Sequence, residues 1–166
     1  MFNSDTLALV QSLASKACRN NVVVATAESC TGGLIAAAFT EVSGSSVWFD
    51  RGFVTYSNEA KQEMLGVKEA TLASHGAVSE SVVRAMAEAA VARSGASLAV
   101  SVSGVAGPAG GSEEKPVGTV WIGCAGDGLR TTSTHHLFEG NRQSIRQQTL
   151  NQAVWRLIQC IDSGSK

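Results

Sequence analysis

The chain has 166 residues, with 13 Lys+Arg against 14 Asp+Glu and a charged share of only 16%. That length suits one domain, residues 1–166, and the near-neutral charge argues against a polybasic nucleic-acid binder or an acidic solvating tail. With 44% hydrophobic but only 5% aromatic residues, the core must be built from Ala, Val, Leu and Ile, which excludes collagen-like, disordered and disulfide-scaffold classes.

In chain order, Leu7, Val10, Leu13, Ala14 and Ala17 recur at helical spacing and predict a helix over 5–19, with Asn3, Ser4 or Asp5 as its cap. Val22-Val23-Val24 opens a buried strand that ends at Thr26-Ala27-Glu28, and an Ala-rich helix follows from Leu34 to Thr40. A second strand is expected over Arg51–Tyr56, then a short helix Glu59–Leu65 capped by Asn58 and ended by Gly66. Ser74-His75-Gly76 reads as a turn. Ser79 caps a helix over Glu80–Arg93, stopped by Gly95, and Leu98–Val102 is a third apolar strand. It leads into a Gly-rich loop, Ser103–Gly111. Strands over Val117–Ala125 and Arg130–Phe138 flank Gly126-Asp127-Gly128, a hairpin signal. Arg142 and Arg146 open a last helix whose apolar face runs from Leu150 to Ile161.

Buried strands alternating with helices predict an α/β three-layer sandwich, a mixed but mostly parallel sheet with helices on both faces. Ligands in such sheets collect beyond the carboxyl ends of the strands, where Ser29, the segment Tyr56 to Lys61 and the loop from Gly104 all fall. Cys18, Cys30, Cys124 and Cys160 are scattered, with no C-x-x-C pair and no zinc-like spacing, so reduced thiols and no metal are expected. The first ten residues have no basic residue and no long apolar run, and no stretch approaches the ~18 apolar residues of a membrane span. A cytoplasmic location is the resulting expectation.

Three segments could carry chemistry. A hydroxyl at the turn Glu28-Ser29-Cys30-Thr31-Gly32-Gly33 is either a nucleophile beside helix N–H donors or only the N-cap of the next helix. If a nucleophile, it needs a base. His135 and His136 sit on a Thr-rich strand. Lys61 shares the Ser29 end of the sheet and is either a base whose pKa burial has lowered or a solvated lysine. The Gly104–Gly111 loop is either a backbone anion nest or a flexible connection, and it matches neither a Walker loop nor G-x-G-x-x-G. Arg142 and Arg146 could each meet an anionic ligand or pair with surface carboxylates.

Taken together, six segments look like one family. They are Thr26–Gly33, Gly44-Ser45-Ser46, Gly52–Lys61, Gly76–Ser79, Ser103–Pro108 and Lys115–Val120. They resemble, in order and over residues 5–160, the nicotinamide-nucleotide amidases related to the C-terminal domain of the competence-damage-inducible protein CinA. The resemblance implies hydrolysis of the carboxamide of nicotinamide mononucleotide to nicotinic acid mononucleotide and ammonia. It implies Ser29 as nucleophile, Lys61 as base and Tyr56 as a nearby catalytic residue, with Lys61 or Tyr56 as the acid for the leaving ammonia, no metal or organic cofactor, and a homodimer as the expected assembly. Backbone N–H groups over Cys30, Thr31, Gly32 and Gly33 are expected to hold the oxyanion. Gly104, Val105, Ala106, Gly107, Gly118, Thr119 and Arg142 are expected around the nucleotide by position alone. A non-catalytic nucleotide-binding or regulatory module, and a subunit that packs on a partner, are the alternatives from other classes.

Overall fold

The structure, a computed structural model, describes residues 2–164; Met1, Ser165 and Lys166, the ends of the expected 1–166 domain, lie outside the described residues. In chain order the elements are α1 (Ser4–Arg19), β1 (Val24–Glu28), α2 (Leu34–Thr40), β2 (Phe49–Val54), α3 (Asn58–Leu65), α4 (Glu69–His75), α5 (Glu80–Ala92), β3 (Leu98–Gly104), β4 (Thr119–Gly126), β5 (Leu129–Leu137) and α6 (Arg142–Gly164). The strands form one sheet in the order β2-β1-β3-β4-β5. Helices cover both faces, as expected: α1, α2 and α6 contribute to one core, and α3, α4 and α5 to the other.

The sheet is mixed, with four of its five strands in one direction, as expected. β1, β2, β3 and β5 run in one direction, and β4 alone runs against its neighbours β3 and β5. The cause is the connections: no helix crosses between β3 and β4, and a tight turn at Asp127-Gly128 joins β4 to β5.

The small-residue composition has a direct packing consequence. Ala25, Ala27 and Ala99 face Met86 and Ala90 of α5 across a thin layer. Val24, Val100, Val120 and Ile122 meet Leu13, Phe39, Leu150 and Leu157 on the opposite side. Under α5 the approach is so close that a Cβ on Gly123 would lie 2.6 Å from both the Val83 carbonyl oxygen and Ser101 Oγ.

Several local expectations shift. β2 begins at Phe49 and pairs Val54 with Glu28, so Thr55 and Tyr56 lie past the strand and turn over the sheet's end. Ser57, not Asn58, caps α3: its hydroxyl accepts the Ala60 N–H at 3.0 Å. His75 ends a helix rather than sitting in a turn, and that helix, α4, buries only Leu72, so it has no apolar period to read.

Gly123→Val should lower the unfolding free energy by about 2–3 kcal/mol, since the helix carbonyl above it cannot rotate away. Urea unfolding checks this. A midpoint equal to wild type would mean α5 is not seated this tightly.

Candidate active site

β1 alternates. Val24 packs into the α1/α2/α6 core, while Ala25 and Ala27 pack into the α5 core. Period-two geometry therefore sends Glu28 to the α2 side and Ser29 to the α3 side. Glu28 is fully buried. Its carboxylate accepts the Thr26 and Thr31 hydroxyls at 3.2 and 2.7 Å and the backbone N–H groups of Gly33, Ile35 and Ala36 at 3.0, 3.1 and 2.9 Å. It thereby caps α2, whose own N-cap residue, Gly33, has no side chain to do so. Gly32 and Gly33 both have positive φ, 58° and 94°, a succession that the missing Cβ permits.

This overturns the expected oxyanion donors in part. The Gly33 N–H is spent on Glu28, and the Gly32 N–H on the Ser29 carbonyl at 3.1 Å. Among the described residues, only the Cys30 and Thr31 amides of that turn donate to no other residue. Arg146 lies outside the lining of the cavity over Ser29. It braces the turn, donating to the Cys30 and Thr31 carbonyls at 3.2 and 2.7 Å.

On the other side, Lys61 of α3 is 1% exposed. Its Nζ lies 3.0 Å from Ser29 Oγ and donates to the Thr55 carbonyl at 2.9 Å, with the Tyr56 carbonyl at 3.4 Å. No salt bridge reaches it among the described residues. Burial pushes its pKa below the ordinary lysine value, opposed only by the nearby Cys30 thiol. A neutral Nζ has a lone pair, and the Ser29 hydroxyl can then donate to it. Cys30, beside the nucleophile in sequence, is a poor rival: burial pushes its thiol up to about 12, and the Glu28 charge adds to the rise.

A cavity of about 250 Å³ opens over the pair. Of the expected site residues, Ser29, Cys30, Tyr56, Lys61, Gly104, Ala106 and Arg142 line it. Arg142 spans its rim, donating to the Gly107 carbonyl at 2.9 Å and to the Tyr56 hydroxyl at 3.1 Å. The Tyr56 ring is exposed, and its hydroxyl bonds Arg142 rather than Ser29 or Lys61.

Thr31, Gly32, Gly33, Val105, Gly107, Gly118 and Thr119 fall outside the lining. They build the walls from behind. Val105 pairs with Thr119 and Gly118 through backbone bonds of 2.8 Å each, and Gly118 abuts the Phe138 carbonyl so closely that no Cβ fits. None of the three histidines lines the cavity. Sequence reasoning missed Ser103, whose buried hydroxyl lines the cavity without a hydrogen-bond partner among the described residues. It also missed Glu28 as a cap, although a lone carboxylate between Thr26 and Thr31 in an apolar run was a usable signal.

Residues 6–161 match the CinA C-terminal domain family. The chain belongs to that family. It is similar, at 61% identity over 125 residues, to the nicotinamide-nucleotide amidohydrolase PncC of Enterobacter agglomerans, covering 75% of this chain and 76% of that protein. It is 49% identical over 162 residues to the protein of the same name from Escherichia coli (strain K12), covering 96% of each. Among solved structures, the competence/damage inducible protein CihA from Agrobacterium tumefaciens superposes with a TM-score of 0.94 at 43% identity, covering 98% of both chains.

For this member of the CinA family, Glu28→Ala would strand the donors that converge on the carboxylate and should cost at least about 3 kcal/mol. Glu28→Gln, which keeps one acceptor oxygen, should fall between the two. Urea midpoints measure both, and a loss under about 1 kcal/mol in Glu28→Ala would remove the carboxylate from this role.

Proposed function

We propose that the chain hydrolyses the carboxamide of nicotinamide mononucleotide to nicotinic acid mononucleotide and ammonia, with Ser29 as nucleophile and Lys61 as general base. The observation that carries the reading is the buried Lys61 amine 3.0 Å from Ser29 Oγ, with no ion pair to hold its charge. The family and the names of its relatives supply the substrate.

Neutral Lys61 takes the Ser29 proton as Oγ attacks the amide carbon. The Cys30 amide, the unspent donor of the turn whose residue lines the cavity, is offered to the oxyanion. The protonated Lys61 then delivers its proton to the departing nitrogen, so ammonia leaves and an ester to Ser29 remains. Water, deprotonated by the same lysine, releases the acid and restores the serine. In this scheme Tyr56 walls the cavity and steadies Arg142, which faces the anionic end of the nucleotide. The orphaned Ser103 hydroxyl is offered to the carboxamide. No helix of the described residues is long and apolar enough to cross a membrane, and the reading places the reaction in the cytoplasm.

Ammonia release from nicotinamide mononucleotide by the purified chain is the direct test. Ser29→Ala should abolish turnover while still binding the mononucleotide, and Cys30→Ala should keep most of it. Lys61→Arg should lose at least ~10²-fold in kcat, because guanidinium stays protonated. An active Ser29→Ala, or a near-normal Lys61→Arg, would end the Ser–Lys reading.

The pH profile has a defined sign. Lys61 works unprotonated, so kcat/KM should fall as pH drops through its lowered pKa and level off above it. A profile that rises as pH falls would contradict this.

A further inference from the structure

At the opposite end of the sheet from Ser29, Cys124 of β4 and Cys160 of α6 bring their sulfurs to 2.8 Å. Register fixes this location: Leu98, which begins β3, pairs with Gly126, two residues beyond Cys124. Cys124 is buried under α6, and Cys160 is half-buried. Both are free thiols, and no step at the Ser29 site uses either.

The surroundings differ for the two sulfurs. Cys160 lines two adjoining cavities, of about 240 and 290 Å³, which give a small molecule access to it. Arg156, one turn earlier on α6, and Thr132, the β5 partner of Cys124, line the smaller of the two with it, as does Cys124. Arg156 also donates to the Thr132 hydroxyl at 2.9 Å, which fixes both groups beside the sulfur. The Cys124 S–H donated to Cys160, together with Arg156 and Thr132, holds the Cys160 thiol down to about 7. Burial and the same contact push Cys124 well above the ordinary thiol range. One sulfur is thus a reachable thiol, eased toward its thiolate by a cation and a hydroxyl, and the other is a neighbour held toward its protonated form and already in contact with it.

We propose that Cys124 and Cys160 form a peroxide-reactive dithiol that closes to a disulfide between β4 and α6. The Cys160 thiolate attacks one oxygen of a hydroperoxide, the O–O bond breaks, and hydroxide leaves and takes up a proton as water. Cys160 becomes a sulfenic acid. Cys124 then loses its proton and attacks the Cys160 sulfur, forming S–S and expelling the sulfenic oxygen as a second water. Two thiols are oxidised by two electrons and one peroxide is reduced. Arg156 and the Thr132 hydroxyl sit where they stabilise the thiolate and orient the peroxide. Exposed Cys18 and deeply buried Cys30 have no such neighbour sulfur among the described residues.

The test treats the reduced full-length chain with a few equivalents of hydrogen peroxide at pH 7.5, then alkylates it and maps the peptides. The expected result is a loss of 2 Da carried by a linked Cys124–Cys160 peptide pair and reversed by dithiothreitol. The thermal midpoint should rise by roughly 5–10 °C, as a cross-link of this kind provides. Cys124→Ala should instead let dimedone trap a sulfenic acid on Cys160, and Cys160→Ser should abolish both products. Recovery of Cys124 and Cys160 as alkylated thiols, or of Cys160 as sulfinic acid beside a free Cys124, would overturn the proposal.

Discussion

The period-two alternation of β1 separates two buried ionisable groups that would otherwise neutralise each other. Glu28 leaves the strand toward α2 and Ser29 toward α3, so the carboxylate and the Lys61 amine face opposite layers. If they met, Lys61 would be held as a cation by an ion pair and would have no lone pair for Ser29. Kept apart, the carboxylate is satisfied by N–H and O–H donors alone, and the amine faces carbonyl oxygens and one hydroxyl. The chemistry depends on that separation.

Each side of the arrangement has its own cost and compensation. An isolated buried carboxylate is expensive unless hydrogen bonds replace its hydration, and Glu28 receives them from a helix end that needed an acceptor. Lys61 has no comparable partner, so desolvation lowers its pKa instead of being offset. Its neutral form is what a base for serine requires. Arg146 supplies the nearest full positive charge to the turn, but it binds the Cys30 and Thr31 carbonyls from outside the cavity. The turn is thus braced from below by an anion and from the flank by a cation, while Ser29 Oγ is left to the lysine.

Much of this was legible in the sequence, and the remainder has identifiable physical reasons. The helices with strong apolar periods, α1, α5 and α6, stand where the spacing placed them. The convergence of Ser29, Lys61 and Gly104 followed from the rule that strand carboxyl ends gather ligands. What escaped depends on pairing and on direction, neither of which is local. β2 starts two residues before the span expected from the sequence, because it is an edge strand with an exposed pattern and only its register against β1 defines it. The glycines at 32 and 33 looked like open donors, yet a carboxylate several residues upstream consumes the Gly33 N–H. Gly118 and Thr119 fell behind the cavity wall because their backbone groups pair with Val105 and Pro116. β4 alone runs against the other four strands, because it turns back from β3 without a crossover helix.

The central claim is that Lys61 is uncharged when the enzyme acts. NMR titration of the Lys61 side chain, labelled at Cε and Nζ and assigned by comparison with Lys61→Met, measures that directly. A transition clearly below the ordinary lysine value of 10.5 is expected, and loss of the low-pH, protonated form should parallel the gain of turnover. A Lys61 signal that stays protonated up to pH 10 or beyond while the enzyme turns over would contradict it.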